Sequence, residues 1–465
     1  MVRIFGHYVP RNTLLIAGLE TIILALFLYL ALLLWDRPSF VVSPEMASVS
    51  ATALAAAIVT AMAVMGLYAQ PGVTGWRGML IKLFVALVIG FVLVTIFFAV
   101  NDAPPLMVGG PVGGSLVLGF AAIALERSLV LRYSRIDWLR PRVLVLGTGT
   151  RAATVEQLVG HEPFGNSFDL VGYLPIKEED HAVPRGRLLE RRDAETLWQM
   201  ARRFRVTEIV VGVRDRRQGG VPSDELLLCR LYGINVIQLS SFFERQAGQV
   251  RLDSLNPSWL IYGEGFRQGF TRTAIKRIFD IVASVSLLIV ALPVMILTAL
   301  AILITMGRPI FYCQQRVGAG GRPFRICKFR SMRNDAEVDG KPQWAQSDDD
   351  RVTPLGRVIR KVRIDELPQI FNVLRGEMSF VGPRPERPEF VEHLDQEIPF
   401  YGSRHSIKPG ITGWAQVRYV YGASFEDARE KLQYDLYYVK NHTLFLDLMI
   451  LFDTFQVVLF GKGAR

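Results

Sequence analysis

Four apolar runs within the first 126 residues constrain this chain's fold more than any other feature. Residues 13–35, 47–69, 79–100 and 106–126 are dominated by apolar side chains, and about 20 such residues in a helix cross a hydrocarbon layer about 30 Å thick. Lipid offers the backbone no hydrogen-bond partner, so the runs predict four spanning helices. Arg3 and Arg11 precede the first, Arg77 and Lys82 separate the second and third, and Arg127, Arg132, Arg135, Arg140 and Arg142 follow the fourth. The 101–105 stretch NDAPP carries no cation. This bias predicts a cytoplasmic N-terminus and a cytoplasmic chain beyond 127. The first run is too long, and lacks the small-residue pattern, for a cleavable signal. Glu20, inside it, is costly in lipid and predicts either a polar neighbour on another helix or a functional role.

Half of the 465 residues are hydrophobic, as a membrane protein requires. The formal net charge of +10 comes from cations at the ends of apolar runs and in the last two-thirds of the chain. Anionic headgroups or phosphorylated substrates are the partners this implies; no basic stripe interleaved with aromatics points to nucleic acid. Three cysteines, Cys229, Cys313 and Cys327, form no C-x-x-C and are odd in number, which argues against a disulfide framework or a zinc site and for a reducing cytosol.

Beyond the four helices (1–135), short β-rich runs alternate with helical ones: RVLVLGTG, DLVGYLP, EIVVGV and INVIQL. The alternation predicts a small parallel α/β module over 141–265. GTGTRA (147–152) formally satisfies the dinucleotide fingerprint, but the confirming acid is missing because Asp169 opens the second strand. The module reads as a degenerate Rossmann-like domain. Residues 272–309 then form another apolar run, flanked by cations at both ends, with Pro293 in its middle. Equal cation bias at its two ends predicts a re-entrant helix broken at Pro293 and returning to the side it left. Residues 310–465 are mixed α/β; within them 443–460 is apolar but carries Asp447 and Asp453, which suits an interfacial helix. Phe425, Ala428, Leu432, Leu436 and Val439 fall at helical spacing and read as core.

The densest chemistry lies in RIDELPQIFNVLRGEMSFVGPRPE (363–386). Asp365 and Glu366 open a predicted helix whose first turn tolerates Pro368. An isolated pair there would cap the helix, but its neighbours are cations. Lys328 and Arg330 share one face of a predicted strand in RPFRICKFRSMR (322–333), RVIRKVR (357–363) supplies Arg357, Arg360, Lys361 and Arg363, and prolines aim Arg384. Such a set is either a solvated salt-bridge network or an anion site, and an aimed guanidinium suits phosphate. With a phosphate ligand, one carboxylate can attack phosphorus while its neighbour holds Mg²⁺. Side chains at i and i+1 diverge by about 100° on a helix, so the two acids divide these roles. KPGITGWAQV (408–417) reads as a loop and strand able to close over a ligand, or as a hairpin with Trp414 in its core.

Together KFRSM (328–332), the 363–386 segment and KPGITGWAQV resemble the bacterial sugar transferases, the monotopic phosphoglycosyl transferases that start exopolysaccharide and O-antigen synthesis. The resemblance covers about 272–465, and the upstream helices and module resemble the long, hexose-type branch. It implies transfer of a hexose 1-phosphate from a UDP-sugar to undecaprenyl phosphate in the cytoplasmic membrane, with release of UMP. It also implies that Asp365 is the nucleophile, that Glu366 binds Mg²⁺, that Lys328, Arg330, Arg360 and Arg384 contact substrate, that Pro293 breaks the membrane helix, and that long members pair as dimers. Two positions depart from the pattern: Arg363 replaces a small residue, and QVRYV (416–420) replaces Q-V-N-G-R, so Arg418 is the candidate substitute for the lost arginine. Two other classes stay open on residues alone. One is a non-enzymatic scaffold for polysaccharide assembly; the other is an NAD(P)-dependent nucleotide-sugar dehydratase, whose Tyr-x-x-x-Lys has only the proline-interrupted Tyr173 to Lys177 as a match.

Overall fold

The structure, a computed structural model, describes residues 2–4, 7–9, 11–33, 43–68, 76–100, 110–133, 140–160, 168–176, 182–213, 222–255, 269–333, 351–419, 422 and 424–460. NDAPP, Arg135 and Lys177 lie outside these residues. Two compact units form, Met1–Ala247 and Gly248–Arg465.

The N-terminal runs fold as helices Arg11–Leu33, Pro44–Val64, Trp76–Val100 and Pro111–Tyr133. Ser43 caps the second, its side chain accepting from Met46 N at 3.3 Å, with Pro44 in the first helical position. The first helix packs on the second and fourth, and the third on the same two. Small residues allow the approach: a Cβ added at Gly119 would lie 3.0 Å from Leu24, and one at Gly90 3.4 Å from Ile58. Leu15, Ile22 and Phe84 face outward, each at least 65% exposed. With Phe270–Met306, five helices among the described residues are long and apolar enough to cross a membrane.

Glu20 meets the predicted polar neighbour. It is fully buried, 2.6 Å from Arg127 Nε and 3.0 Å from Arg127 Nη2, and it accepts a hydrogen bond from Tyr68. Arg127 Nη1 donates to Leu67 O at 2.8 Å, tying the first and fourth helices to the turn that follows the second. Removing one partner strands a buried charge, at a cost of about 3–5 kcal/mol. Glu20→Ala and Arg127→Ala are each expected to lower Tm in lipid nanodiscs by several degrees, and the double variant by less than their sum. Additive losses would show that the two side chains do not interact.

In the module, strands Arg142–Leu146, Asp169–Leu174, Glu208–Val211 and Asn235–Gln238 form one parallel sheet, with the first strand between the second and third. Helix Thr150–Gly160 follows the fingerprint loop, but Thr148 O in that loop already accepts Ala182 N at 2.8 Å. Residues 248–255, which the sequence assigns to this module, belong instead to the second unit. Gly248 O accepts Trp414 Nε1 at 2.9 Å, Val250 N donates to Gln433 O, and Val250 joins the core there.

The second unit is organised on helix Phe270–Met306, which continues through Pro293. Its buried positions, Asp280, Ser284, Ala291, Met295, Thr298 and Ile302, recur every three, four or seven residues and trace one stripe. Ala291, Met295 and Ile302 pack with Phe329 and Ile359. Near the helix start, Arg277 donates to Val373 O (2.6 Å) and Leu374 O (2.7 Å), Asp280 accepts from Ser379 Oγ (2.9 Å), and Lys276 pairs with Asp447 (2.7 Å). At its end, Arg330 donates to Met306 O and Gly307 O. Both ends are therefore fastened to the same unit.

An antiparallel hairpin, Phe311–Val317 with Pro323–Phe329, follows. Its register sets Cys313 opposite Cys327, and the two form a disulfide. This corrects the expectation drawn from spacing, because strand register and not sequence distance brings them together. KPGITGWAQV forms no hairpin either: Gly410–Thr412 pairs in parallel with Ser379–Val381, and Trp414 is buried at the head of helix Trp414–Arg418. On helix Phe425–Asn441 the expected core residues are buried except Phe425, which is 38% exposed at the first turn. Helix Leu444–Phe460 buries Leu446 and Ile450, with Asp447 accepting from Lys276 and Tyr438.

Candidate active site

Helix Pro354–Lys361 begins at Thr353, whose hydroxyl accepts Gly356 N at 3.0 Å, and ends at Val362. Arg363 then turns the chain in the left-handed region (φ 58°, ψ 19°) and starts a 3-10 segment, Ile364–Gln369, that runs into helix Ile370–Arg375. A side chain other than glycine rarely occupies that backbone region. The turn separates the acids from the preceding helix and places them next to the strand bearing Lys328. Asn372 fastens this segment to the strand, its Nδ2 donating to Arg325 O at 2.8 Å.

Three cations converge on one oxygen. Glu366 Oε1 lies 2.9 Å from Lys328 Nζ, 3.2 Å from Arg384 Nη2 and 3.5 Å from Arg363 Nη1. Arg384 is held from behind: its carbonyl accepts Arg404 Nη2 at 2.9 Å, and Arg404 pairs with buried Asp435 at 2.7 Å. The loop carrying it is tight, because a Cβ at Gly382 would come within 2.4 Å of Lys408 O, so only glycine fits. Beside Glu366 a cleft of about 280 Å³ is lined by Lys328, Arg360, Arg363, Arg384, Arg316 and Arg387, with Phe390 and Tyr419 among its apolar walls.

The two acids are driven apart electrostatically. Burial and the Glu366 charge push the Asp365 carboxyl above its ordinary range, while Lys328, Arg363 and Arg360 pull the other way. Burial also opposes ionisation of Glu366, but Lys328, Arg384 and Arg363 overcome it and hold that carboxyl well below the usual range. Asp365 Oδ1 is buried with no hydrogen-bond partner among the described residues. Paired carboxylates of opposite tendency mark a site with divided roles. Were Asp365 to act as a nucleophile it would have to be ionised, and kcat/KM would then fall as pH drops, with a midpoint above the free-carboxylate value of about 3.9. A profile flat down to pH 4 would contradict this.

Of the predicted residues, Asp365, Glu366, Lys328, Arg360 and Arg384 come together. Arg330 does not share Lys328's site: it follows the strand end, and its guanidinium caps the long helix at Met306 and Gly307. Arg418 lies 3.6 Å from Asp453 and stacks on Trp414 at 4.3 Å, outside the cleft lining. Arg363, expected among the cations beside the acids and as a departure from the family pattern, is a third cation on Glu366. Sequence reasoning misses Arg316, Arg404 and Asp435; for Asp435 the signal available is the one acid within LQYDLYYV (432–439).

An acid pair ringed by cations, in a unit fastened along a membrane-length helix, is an arrangement suited to an anionic ligand. Residues 271–461 match the family described as Bacterial sugar transferase. The chain is 41% identical over 303 residues to the UDP-N-acetylgalactosamine-undecaprenyl-phosphate N-acetylgalactosaminephosphotransferase of Aeromonas hydrophila, covering 65% of this chain and 67% of that protein. It is 43% identical over 195 residues to the undecaprenyl-phosphate glucose phosphotransferase of Komagataeibacter xylinus, covering 41% of this chain and 36% of that protein. It is 41% identical over 191 residues to the UDP-glucose:undecaprenyl-phosphate glucose-1-phosphate transferase of Caulobacter vibrioides, covering 41% of this chain and 71% of that protein. The chain belongs to the bacterial sugar transferase family.

Proposed function

We propose that this protein transfers a sugar 1-phosphate from a UDP-sugar to undecaprenyl phosphate at the cytoplasmic face of the bacterial inner membrane, the first step of exopolysaccharide or O-antigen repeat-unit synthesis. The observation that carries the reading is buried Asp365, whose Oδ1 has no hydrogen-bond partner among the described residues, beside a Glu366 that three cations keep ionised. An Asp365 carboxylate oxygen attacks the β-phosphorus; as that bond forms, the bond from the β-phosphorus to the bridging oxygen breaks, and UMP leaves with that oxygen. An oxygen of undecaprenyl phosphate then attacks the same phosphorus, which releases the Asp365 carboxylate and forms the lipid diphosphate sugar. Lys328, Arg360, Arg363 and Arg384 supply fixed positive charge where the phosphoryl oxygens gain negative charge.

Glu366 is the residue that would hold Mg²⁺ arriving with the diphosphate, with Asp365 left to attack. Among the described residues no cluster of three or more His, Cys, Asp or Glu lies there, so the ion would depend on phosphate oxygens and water for its other ligands. When bound it neutralises diphosphate charge.

The same proposal has the four N-terminal helices spanning the membrane and Phe270–Met306 entering and leaving on one side. Its support is that both helix ends, Arg277 with Asp280 and Met306 with Gly307, are fastened to one unit. Pro293, which leaves Ile289 O without its helical donor, is where the helix would bend. Pairing into dimers is part of the proposal and is read by mass photometry in nanodiscs.

Relatives named for N-acetylgalactosamine and for glucose set the donor panel. Purified protein with undecaprenyl phosphate and Mg²⁺ is expected to release UMP from UDP-N-acetylgalactosamine or a UDP-hexose. Silence with every donor, in a folded and lipid-supplied sample, would favour the scaffold reading.

A further inference from the structure

Away from the acids, at the C-terminal end of helix Ile370–Arg375, Gly376 leaves a notch between two cations. A Cβ built there would lie 3.5 Å from Arg277 Nη2 and 3.5 Å from Lys408 Nζ. The two nitrogens are thus no more than about 7 Å apart, a span that the oxygens of one phosphate bridge through charge-assisted hydrogen bonds.

Neither cation has a carboxylate of its own among the described residues. Arg277 donates to the Val373 and Leu374 carbonyls. The nearby acids are committed elsewhere: Asp280 accepts from Ser379 and from Phe380 N, and Asp447 from Lys276 and Tyr438. Burial, Arg277 and Lys276 together push the Lys408 ammonium below its ordinary range, with Asp280 opposing. Burial and the two neighbouring cations thus outweigh the one acid that opposes them. Arg272, one turn before Lys276, adds further positive charge on that side of the helix.

The notch lies where the polar foot of the long helix meets its apolar run. Phe270, Ile275, Ile278 and Val282 are all more than half exposed, a surface suited to lipid. Headgroup phosphates occupy this level of a bilayer, and basic side chains there attract anionic lipid.

We propose that Arg277, Lys408 and the Gly376 notch form a binding site for the headgroup phosphate of an anionic membrane lipid, separate from the acid pair. The inference rests on the helix lying in the membrane and not on the transferase chemistry, so failure of either leaves the other standing. The lipid braces the foot of the helix against Ile370–Arg375, the helix that continues from the acids.

The test uses the full chain in neutral detergent, titrated separately with phosphatidylglycerol, phosphatidylcholine and inorganic phosphate. Tm is followed, and native mass spectrometry counts bound lipid. Phosphatidylglycerol is expected to raise Tm saturably and to remain bound; phosphatidylcholine and inorganic phosphate are not. Lys408→Gln is expected to weaken the phosphatidylglycerol response roughly fivefold, Lys408→Arg to restore it, and Arg322→Gln, on the hairpin turn, to leave it unchanged. Lys408→Met, which keeps the apolar stem, replaces Lys408→Gln if the latter folds poorly. An equal phosphatidylglycerol response in wild type and the Lys408 variants would overturn the site. A response to inorganic phosphate matching that to the lipid would overturn the lipid assignment in favour of a free-anion site.

Discussion

Asp365→Asn is expected to lower UMP release by roughly a thousandfold or more and, at the same time, to raise Tm. The loss follows because the amide cannot form the bond to phosphorus. The gain follows from the environment of the carboxylate: burial and Glu366 hold its pKa above the ordinary value, so the unfolded chain ionises first as pH rises. The folded state then loses stability relative to it. At neutral pH the charge is a cost that asparagine removes. Glu366→Gln should also abolish activity but move Tm the other way. Its folded pKa is depressed, so its charge stabilises at every pH above the unfolded value, and its loss leaves Lys328, Arg384 and Arg363 facing one another. Each kcal/mol corresponds to about 2–4 °C in a unit of this size. Two inactive variants with Tm shifts of the same sign would show that the acids do not sit in opposed environments.

Asp435→Ala is expected to produce the larger stability loss, about 3–5 kcal/mol, because it strands Arg404 in the core without its counter-ion. Arg404 is 6% exposed and Asp435 3% on their side chains, and Arg404 also donates to Tyr401 Oη at 2.7 Å and to the Arg384 carbonyl. The substitution therefore loosens the loop that aims Arg384 at Glu366. Replacing both partners with apolar residues, Arg404→Met with Asp435→Leu, should recover much of the stability, since a buried pair is often no better than packed hydrocarbon. It should not recover turnover, because the Arg384 carbonyl still lacks its donor. Recovery of both in thermal unfolding and UMP release would reduce Arg404 to a packing role.

The membrane helices were legible because lipid leaves the backbone one solution, and the four module strands because their β-rich runs stand apart from the helical ones. The site was legible where neighbours in sequence are also neighbours in space, as with Asp365, Glu366 and Arg360. Lys328 and Arg384 could be named from residue chemistry and family resemblance, but their convergence on one Glu366 oxygen depends on a left-handed turn at Arg363. No sequence pattern flags that turn at an arginine. Strand alternation put Lys328 and Arg330 on one face, yet the strand stops at Phe329, and beyond it Arg330 turns to the carbonyls ending the long helix. The Cys313–Cys327 bond and the Arg404–Asp435 pair were hidden for a common reason: each is made by tertiary register between segments whose spacing carries no signature.

The proposed reaction depends on a covalent step at Asp365. Protein incubated with a donor that supports UMP release, but without undecaprenyl phosphate, can be quenched in acid, digested and weighed by mass spectrometry. The peptide containing Asp365 should gain the mass of the sugar phosphate, with about one UMP released per protein, and lose it when undecaprenyl phosphate is added before the quench. UMP release that requires the acceptor from the outset, with no mass gain on that peptide, would contradict the nucleophile assignment and favour direct attack by the lipid phosphate.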